Sequence, residues 1–340
     1  MLKVTALTSG KHVPSSRFRV RQFIKPLASL GIQVSEYPLI IKKYTPGISP
    51  MINAFSDILK MFARAPGLLA AKSSDVTWLE RELVPRRYTF ERFAGPKRLF
   101  DVDDAIWLTD ESRFSEEIAK HSTGVIAGNQ FIADYYHKLG VRVWVVPTSV
   151  DTESWKPELK KKRNGWTVGW IGSSSNLKYL YAIEESMADF LAEHRTSELL
   201  VVCDRKPSFK IILPTAWKFA RWTPENEIKL TQKMDVGLMP LPDTEWARGK
   251  CALKMLLYMA VGLPVIASPV GVNSEILRQA EIGLPAVNKD NWYEALRLLF
   301  ADRKRAFSLG RAGRRLVEEQ YSVKQNVCKL AQIIGEAACS

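Results

Sequence analysis

The sequence predicts an α/β protein made of two successive doubly wound, parallel-sheet domains. Three observations point there. Short apolar strands alternate with amphipathic helical segments along the chain. That alternation stops at a polar, highly charged stretch (156–164) and then restarts. With 340 residues, the chain is long enough for two separate cores.

The first half opens with an alternating strand at 3–7 and a loop at 8–16. Ser15 or Ser16 is expected to cap a helix running to about Leu30, kinked at Pro26 and stopped by Gly31 before a second strand. The loop then lies at the carboxyl end of a strand, where open α/β sheets bind ligands. Further strands are expected at 75–79, 98–102, 123–127 and 142–146, and Asn129 is expected to cap a helix that ends before Gly140. In the second half, strands are expected at 167–171, 199–203 and 235–240, with a tight Gly172-Ser173-Ser174 turn after the first. Thr223-Pro224-Glu225 reads as a helix start, and residues 322–338 as a final helix.

Composition narrows the function classes. The chain is 46% hydrophobic and 25% charged, ordinary for a soluble globular protein, and no apolar run approaches the roughly 20 residues that span a bilayer. The N-terminal apolar stretch is too short for a secretory signal. Cys203, Cys251, Cys328 and Cys339 show neither CxxC nor metal spacing and suggest free thiols in a reducing compartment, hence a cytoplasmic protein. With four histidines and no HExxH, a catalytic zinc is not expected. The net charge of +13 comes from clusters spread along the chain: Lys42-Lys43, Arg86-Arg87, Lys160 to Arg163, Arg303 to Arg305 and Arg314-Arg315. No aromatic pattern of RNA recognition accompanies them, so nucleic acid is not the expected partner. They fit anionic substrates and a peripheral contact with an anionic membrane, at the inner face of the cell membrane. Residues 51–69, with Ile52, Phe55, Ile58, Leu59, Phe62 and Leu69 beside Lys60 and Arg64, form an amphipathic stretch. Its stripe is expected to face the core, the alternative being a membrane face.

The most informative segment is 248–268. It reads as a basic loop, a helix with Leu253, Leu256, Leu257 and Ala260 on one face, a stop at Gly262-Pro264, and a buried strand at 265–267. Lys250 and Lys254 are four apart and are expected on one helix face. Gly271-Val272-Asn273-Ser274-Glu275 then turns into another helix, with Asn273 or Ser274 as the expected cap. Two helix N-termini and two lysines around one crevice suit a diphosphate.

The run Lys254-Met-Leu-Leu-Tyr-Met-Ala-Val-Gly-Leu-Pro-Val-Ile-Ala-Ser268, followed by Val270-Gly271 and Glu275-Ile276, resembles the donor-binding segment of family 4 (group 1) glycosyltransferases. Ser16-Arg17-Phe18-Arg19-Val20, Phe100-Asp101-Val102-Asp103-Asp104-Ala105-Ile106-Trp107, Pro147-Thr148-Ser149-Val150-Asp151, Gly169-Trp170-Ile171-Gly172-Ser173 and Asp235 to Leu241 resemble a bacterial branch of that family in order and placement. That branch is associated with surface polysaccharide and lipid-linked glycan assembly. The resemblance implies the GT-B fold: two Rossmann-like domains facing a cleft, and a C-terminal helix returning to the first. It divides the chain into an acceptor domain at 1–155, a donor domain at 165–321 and a return helix at 322–340. It implies a retaining hexosyltransferase that moves a sugar from a nucleotide diphosphate sugar to a hydroxyl of a glycan or lipid-linked acceptor, with no further cofactor and no metal. Asp101-Val102-Asp103 spells DxD, a metal motif of the other large glycosyltransferase fold, which the two-domain pattern disfavours.

On this reading, the donor phosphates meet Gly249, Lys250 and Lys254, the backbone of Gly271, Val272, Asn273 and Ser274, and the Gly172-Ser173-Ser174 turn, with glycines allowing close backbone approach. Glu275 matches the family's acid after the glycine-containing turn, and on chemistry alone is a first-turn helix stabiliser. The family's two glutamates, with seven residues between them, fall here on Gly249 and Leu257, so both carboxylates are missing. Asp103-Asp104 stands where many members have His-Asp. Either aspartate would take the acceptor proton or steady charge at the sugar carbon, the alternative being a turn cap. Gly10, Ser15, Ser16, Arg17 and Arg19 are acceptor-side loop candidates, the arginines for a phosphate. Two other readings remain open: a nucleotide-sugar epimerase or inactive GT-B protein, and a basic polyanion- or nucleic-acid-binding protein.

Overall fold

The computed structural model describes residues 1–43, 50–109, 113–158 and 165–340. The basic run Lys160 to Arg163 lies outside them, as does the side chain of Ile52. Contacts divide the chain into two compact units. The first comprises Met1–Ser149, Arg248–Cys251 and Val323–Ser340, and the second Val150–Ala247 and Ala252–Ser322. The first unit thus closes at Ser149, earlier than the expected 155, and takes in Arg248–Cys251 from the middle of the expected donor half.

In the first unit, β1 (Leu2–Thr8), β2 (Ile32–Pro38), β3 (Val76–Glu80), β4 (Arg98–Val102), β5 (Gly124–Ala127) and β6 (Val143–Val145) form one sheet in the order β2-β1-β3-β4-β5-β6. Every pairing is parallel. The order reverses between β1 and β3, so the carboxyl ends of these strands flank the switch point where such sheets bind ligands. Helices α1 (Gln22–Ser29), α2 (Pro50–Ala71), α3 (Phe114–Lys120) and α4 (Gln130–His137) cover the sheet. The central strands β1, β3, β4 and β5 are buried on both faces: Val4, Ala6 and Trp78 pack with Phe23 and Leu27 on one face, and Leu7, Leu79 and Phe100 pack with Ile118, Ile132 and Tyr136 on the other.

The second unit repeats the plan. Strands β7 (Trp166–Ile171), β8 (Ser197–Cys203), β9 (Trp217–Arg221), β10 (Val236–Met239), β11 (Val265–Ala267) and β12 (Gly283–Pro285) run in the order β12-β11-β10-β7-β8-β9. All pairs are parallel, and the order reverses between β7 and β10. Its helices are α5 (Leu177–Tyr181), α6 (Glu184–Glu193), α7 (Glu227–Gln232), α8 (Glu245–Arg248), α9 (Leu253–Ala260), α10 (Val272–Gln279), α11 (Lys289–Ala301) and α12 (Arg303–Leu316). The last helix, α13 (Val323–Cys339), joins the first unit, placing Val327, Leu330 and Ile334 in the core with Val4 and Phe23. Two parallel six-stranded sheets with this return helix are the GT-B fold.

Several local expectations are corrected. Neither Ser15 nor Ser16 caps the first helix through its side chain; the chain enters α1 through a wide π-helical turn at Ser16–Arg21. Helix α7 starts at Glu227, after Thr223 to Asn226 have closed a turn in which the Asn226 side chain accepts the Thr223 N–H at 2.9 Å. Gly271, at φ +52°, is the N-cap of α10, while Asn273 turns its amide onto Ser268 O at 3.2 Å. The edge strands β9 and β12 were not expected, since neither is a buried apolar run. Gly283 lies so close to β11 that a Cβ there would fall 1.9 Å from Val265 O.

The largest reversal is α2. Phe55, Ile58, Leu59, Phe62 and Leu69 are exposed, Phe62 at 74%, so the stripe does not face the core. Lys60 and Arg64 are buried instead. Lys60 pairs with Asp57 at 3.1 Å, and Arg64 donates to Thr8 O at 2.7 Å and to Leu83 O. Periodicity located the helix correctly but assigned the wrong face to the interior.

Candidate functional site

In the first unit, the carboxyl ends of β1, β3 and β4 carry a dense set of charges. Glu80, the last residue of β3, accepts the Ser9 N–H and the Ser16 hydroxyl, both at 2.7 Å. Ser16 Oγ in turn accepts the Gly10 N–H at 3.3 Å. The loop after β1 is therefore stitched to its neighbours, and Gly10, Ser15 and Ser16 shape it, with both serines buried. Lys43 donates to Ser9 Oγ at 2.9 Å and pairs with Glu82 at 3.3 Å; burial pulls its pKa down, partly offset by Glu82 and Glu80.

Arg17 and Arg19 part company. Arg17 is half-buried, its guanidinium 5.1 Å from the Phe18 ring centroid. Arg19 is 3% exposed, donates through Nε to Asp101 Oδ1 at 2.8 Å and through Nη1 to Val146 O at 2.6 Å. Burial pulls its pKa down, and the Asp101 carboxylate outweighs that and raises it above the ordinary arginine value. Arg19 is thus a core ion pair, which corrects its expected role on an acceptor-side phosphate. Asp101 is likewise engaged, its second oxygen accepting the Trp78 indole N–H at 3.1 Å.

Asp103 and Asp104 follow β4 directly. Arg81, in the left-handed region at φ +62°, brings Nη1 within 3.5 Å of Asp104 Oδ2 and 4.0 Å of Asp103 Oδ1. Lys250 Nζ stands 3.4 Å from Asp104 Oδ1. Burial, and next the negative charge of Asp104, push the Asp103 carboxyl up to about 7, against the pull of Arg81. The pair therefore offers one carboxyl that is partly protonated near neutrality and a second held beside two cations, an acid–base arrangement. The Lys250 loop is fixed by Asn129, whose side chain caps α4 by accepting the Ile132 N–H at 2.9 Å and donates to Gly249 O at 3.0 Å. Gly249 packs so tightly that a Cβ would fall 2.5 Å from the Ala105 Cβ. Cys251 donates its thiol to Asp103 O at 3.1 Å. Arg81, Asn129 and Cys251 were missed by sequence reasoning; only the strand-end position of Arg81 and Asn129's capping signal marked them.

This placement corrects the expectation that Lys250 and Lys254 share a helix face. Helix α9 begins at Leu253, after Ala252 in the left-handed region at φ +54°, and Lys250 precedes that turn.

In the second unit, Lys254 lies in the first turn of α9, with Nζ 4.8 Å from the Trp170 ring centroid. Trp170 is on β7 and Gly172 just beyond it; a Cβ on Gly172 would fall 2.7 Å from the indole and 2.9 Å from Lys254 Cε. Tyr258, one turn along α9, accepts the Ile171 N–H at 2.9 Å and anchors the helix to the end of β7. Lys254, Trp170 and Gly172 therefore converge at the β7/β10 switch point. Ser173 is exposed, but Ser174 is already engaged: Asp204, at the end of β8, accepts its N–H at 2.6 Å and its hydroxyl at 2.9 Å. Those contacts hold the Asp204 carboxyl below its ordinary range, against burial. Around Gly271, the N–H groups of Ser274 and Glu275 bond Gly271 O at 2.9 and 3.3 Å, and that of Asn273 bonds Val270 O at 3.2 Å. Val272 and Asn273 are buried, and Glu275 is exposed in the first turn of α10. Leu257, at a family glutamate's place, is buried in α9.

Two doubly wound sheets, each with polar groups gathered at its switch point, define a two-unit α/β protein. Residues 165–302 match the family model described as glycosyl transferases group 1. The whole chain resembles solved GT-B structures. Sucrose-phosphate synthase of Thermosynechococcus elongatus is 16% identical, with 99% of this chain and 100% of that one covered and a TM-score of 0.72. WaaG, a glycosyltransferase involved in lipopolysaccharide biosynthesis, is 14% identical over 97% and 99%, with a TM-score of 0.71. HepE of Anabaena, solved with UDP and glucose, is 13% identical over 98% and 100%, with a TM-score of 0.68. At these identities the likeness is one of fold. No curated protein sequence matches the chain. The resemblance to group 1 GT-B glycosyltransferases thus rests on the family match in the second unit and the fold along the whole chain.

Proposed function

We propose that this protein is a retaining glycosyltransferase of the family 4 type that moves a hexose from a nucleotide diphosphate sugar to a hydroxyl of a glycan or lipid-linked acceptor. The observation that carries the reading is the convergence of Lys254, Trp170 and Gly172 at a switch point inside the segment that matches group 1 glycosyl transferases. An ammonium beside a close-approach glycine suits a diphosphate whose charge rises as the glycosidic bond breaks. On this reading the second unit is the donor domain and the first the acceptor domain. Asp103 or Asp104 accepts the acceptor's proton or steadies the developing positive charge, with Arg81 and Lys250 placed beside Asp104. Retention follows from the family resemblance. Since HepE was solved with UDP and glucose, a UDP-sugar is the first donor to test.

The acceptor side is proposed to work at an anionic membrane, where the exposed apolar face of α2 would lie in the interface. Among the described residues no helix is long and apolar enough to cross a bilayer.

Calorimetry against UDP-, GDP-, ADP- and dTDP-sugars tests the donor reading. One nucleotide should bind in the micromolar range and compete with its free diphosphate, and NMR of the product should show the donor's anomeric configuration kept. Absence of binding by all four would overturn the assignment and favour a chain that has lost donor binding together with the two glutamates.

A further inference from the structure

Trp107 packs at the margin of the first unit's core, its indole edge-on to the buried Tyr136 with centroids 5.8 Å apart. Trp78, Trp166 and Trp170 are at most 1% exposed, whereas Trp107 is only half-buried. It sits in a short 3₁₀ turn, Ile106–Thr109, one residue beyond Asp103-Asp104, and the Ile106 N–H bonds Asp104 O at 2.8 Å. Its indole lies flat on Tyr135, with centroids 4.0 Å apart and planes 5° from parallel. Phe131, one turn earlier on α4, is 6.0 Å away at 28°. Tyr135 is held by a 2.9 Å hydrogen bond to Glu116, and α4 is tied through Asn129 to the loop that carries Lys250. A rigid aromatic shelf, itself half-buried, therefore follows by three residues Asp104, whose carboxylate sits 3.4 Å from the Lys250 ammonium. Flat apolar surface edged by a few fixed polar groups is what a sugar ring requires: its C–H face stacks, and its hydroxyls find a carboxylate and an ammonium.

We propose that Trp107, backed by Tyr135 and Phe131, is a stacking platform for a pyranose ring and holds the acceptor sugar beside Asp103 and Asp104. This deepens the glycosyltransferase reading and rests on it for the occupant's role as acceptor. Trp107 would act as a binding and specificity residue.

The test uses the full chain without nucleotide. Methyl glucoside, methyl galactoside and methyl mannoside are titrated while the indoles are followed by fluorine NMR after 5-fluorotryptophan labelling; loss of one signal in Trp107→Phe assigns it. Saturation-transfer NMR from the sugar side gives Kd in the variants. The Trp107 signal should shift saturably with at least one glycoside. Trp107→Phe should keep binding within about threefold, and Trp107→Leu should weaken it about tenfold, the loss expected for one stacked ring. No saturable shift at Trp107 with any of the three, or a Trp107→Leu variant that binds like wild type, would overturn the platform. Separate calorimetry with UDP, GDP, ADP and dTDP tells the two readings apart. Binding of any of them without glycoside binding at Trp107 overturns the platform alone; glycoside binding at Trp107 with none of the four nucleotides bound supports the platform and overturns the donor assignment.

Discussion

Lys254 Nζ lies 4.8 Å from the centroid of the Trp170 ring, and the Lys254 stem fills the space that a Cβ on Gly172 would need. The ammonium is thereby aimed at the carboxyl end of β7, by an aromatic face that attracts cations and a glycine that leaves room. Replacing Lys254 by Ala should weaken nucleotide-diphosphate-sugar binding roughly ten- to a hundredfold, the value of one hydrogen bond to a charged group. Calorimetry decides it: wild-type affinity in that variant would remove Lys254 from the phosphate site. Gly172→Val should also weaken binding, by displacing the indole and the lysine stem.

The acid pair predicts a pH dependence. Asp103 is held up to about 7, against an ordinary carboxyl value near 3.8. Below about 4 it is protonated in both folded and unfolded chains and contributes nothing to the pH slope. Between about 4 and 7 the unfolded chain ionises first, so stability falls as pH rises, and above 7 the cost is constant. Asp103→Asn should therefore raise stability at pH 8 by about 1–2 kcal/mol and have little effect at pH 4, measured by urea denaturation at both. If Asp103 is the base, wild-type turnover should climb through pH 7, and the Asn variant should lose about 10²–10⁴ in kcat with that rise. A variant as active as wild type would leave Asp104 as the sole candidate.

The Arg19–Asp101 pair is expected to act on stability. Removing either partner leaves the other charge buried in the first core, so Arg19→Ala should cost about 3–5 kcal/mol. The double variant Arg19→Met/Asp101→Leu should recover most of that loss. Urea midpoints across wild type and the two variants test this; an Arg19→Ala variant with unchanged stability would contradict the structural role.

The exposed face of α2 makes the membrane proposal measurable. Phe55→Asp/Phe62→Asp removes two aromatic side chains that are 63% and 74% exposed, so it should leave the melting temperature nearly unchanged. It should lower co-sedimentation with vesicles containing phosphatidylglycerol by at least tenfold, and wild-type binding should fall with added salt. Equal sedimentation of both proteins would remove α2 from any membrane contact.

Much was legible from local sequence. Most strands of both sheets announced themselves as short apolar runs, the edge strands β9 and β12 excepted, and α9 with its stop at Gly262 (φ +75°) appeared where Leu253 to Ala260 repeat at helical spacing. Asn129 capped its helix as its residue type predicts. These features depend on neighbours within a few residues, where periodicity and backbone preference act. What tertiary structure alone decided is where the charges went. Arg19 meets Asp101 across 82 positions of sequence, Lys250 meets Asp104 across 146, and the first unit's interior takes Lys60 and Arg64 while α2 turns its phenylalanines outward. A period tells that a helix has two faces. Which face is buried depends on whether distant carboxylates and carbonyls satisfy its cations, and only the folded chain brings those together.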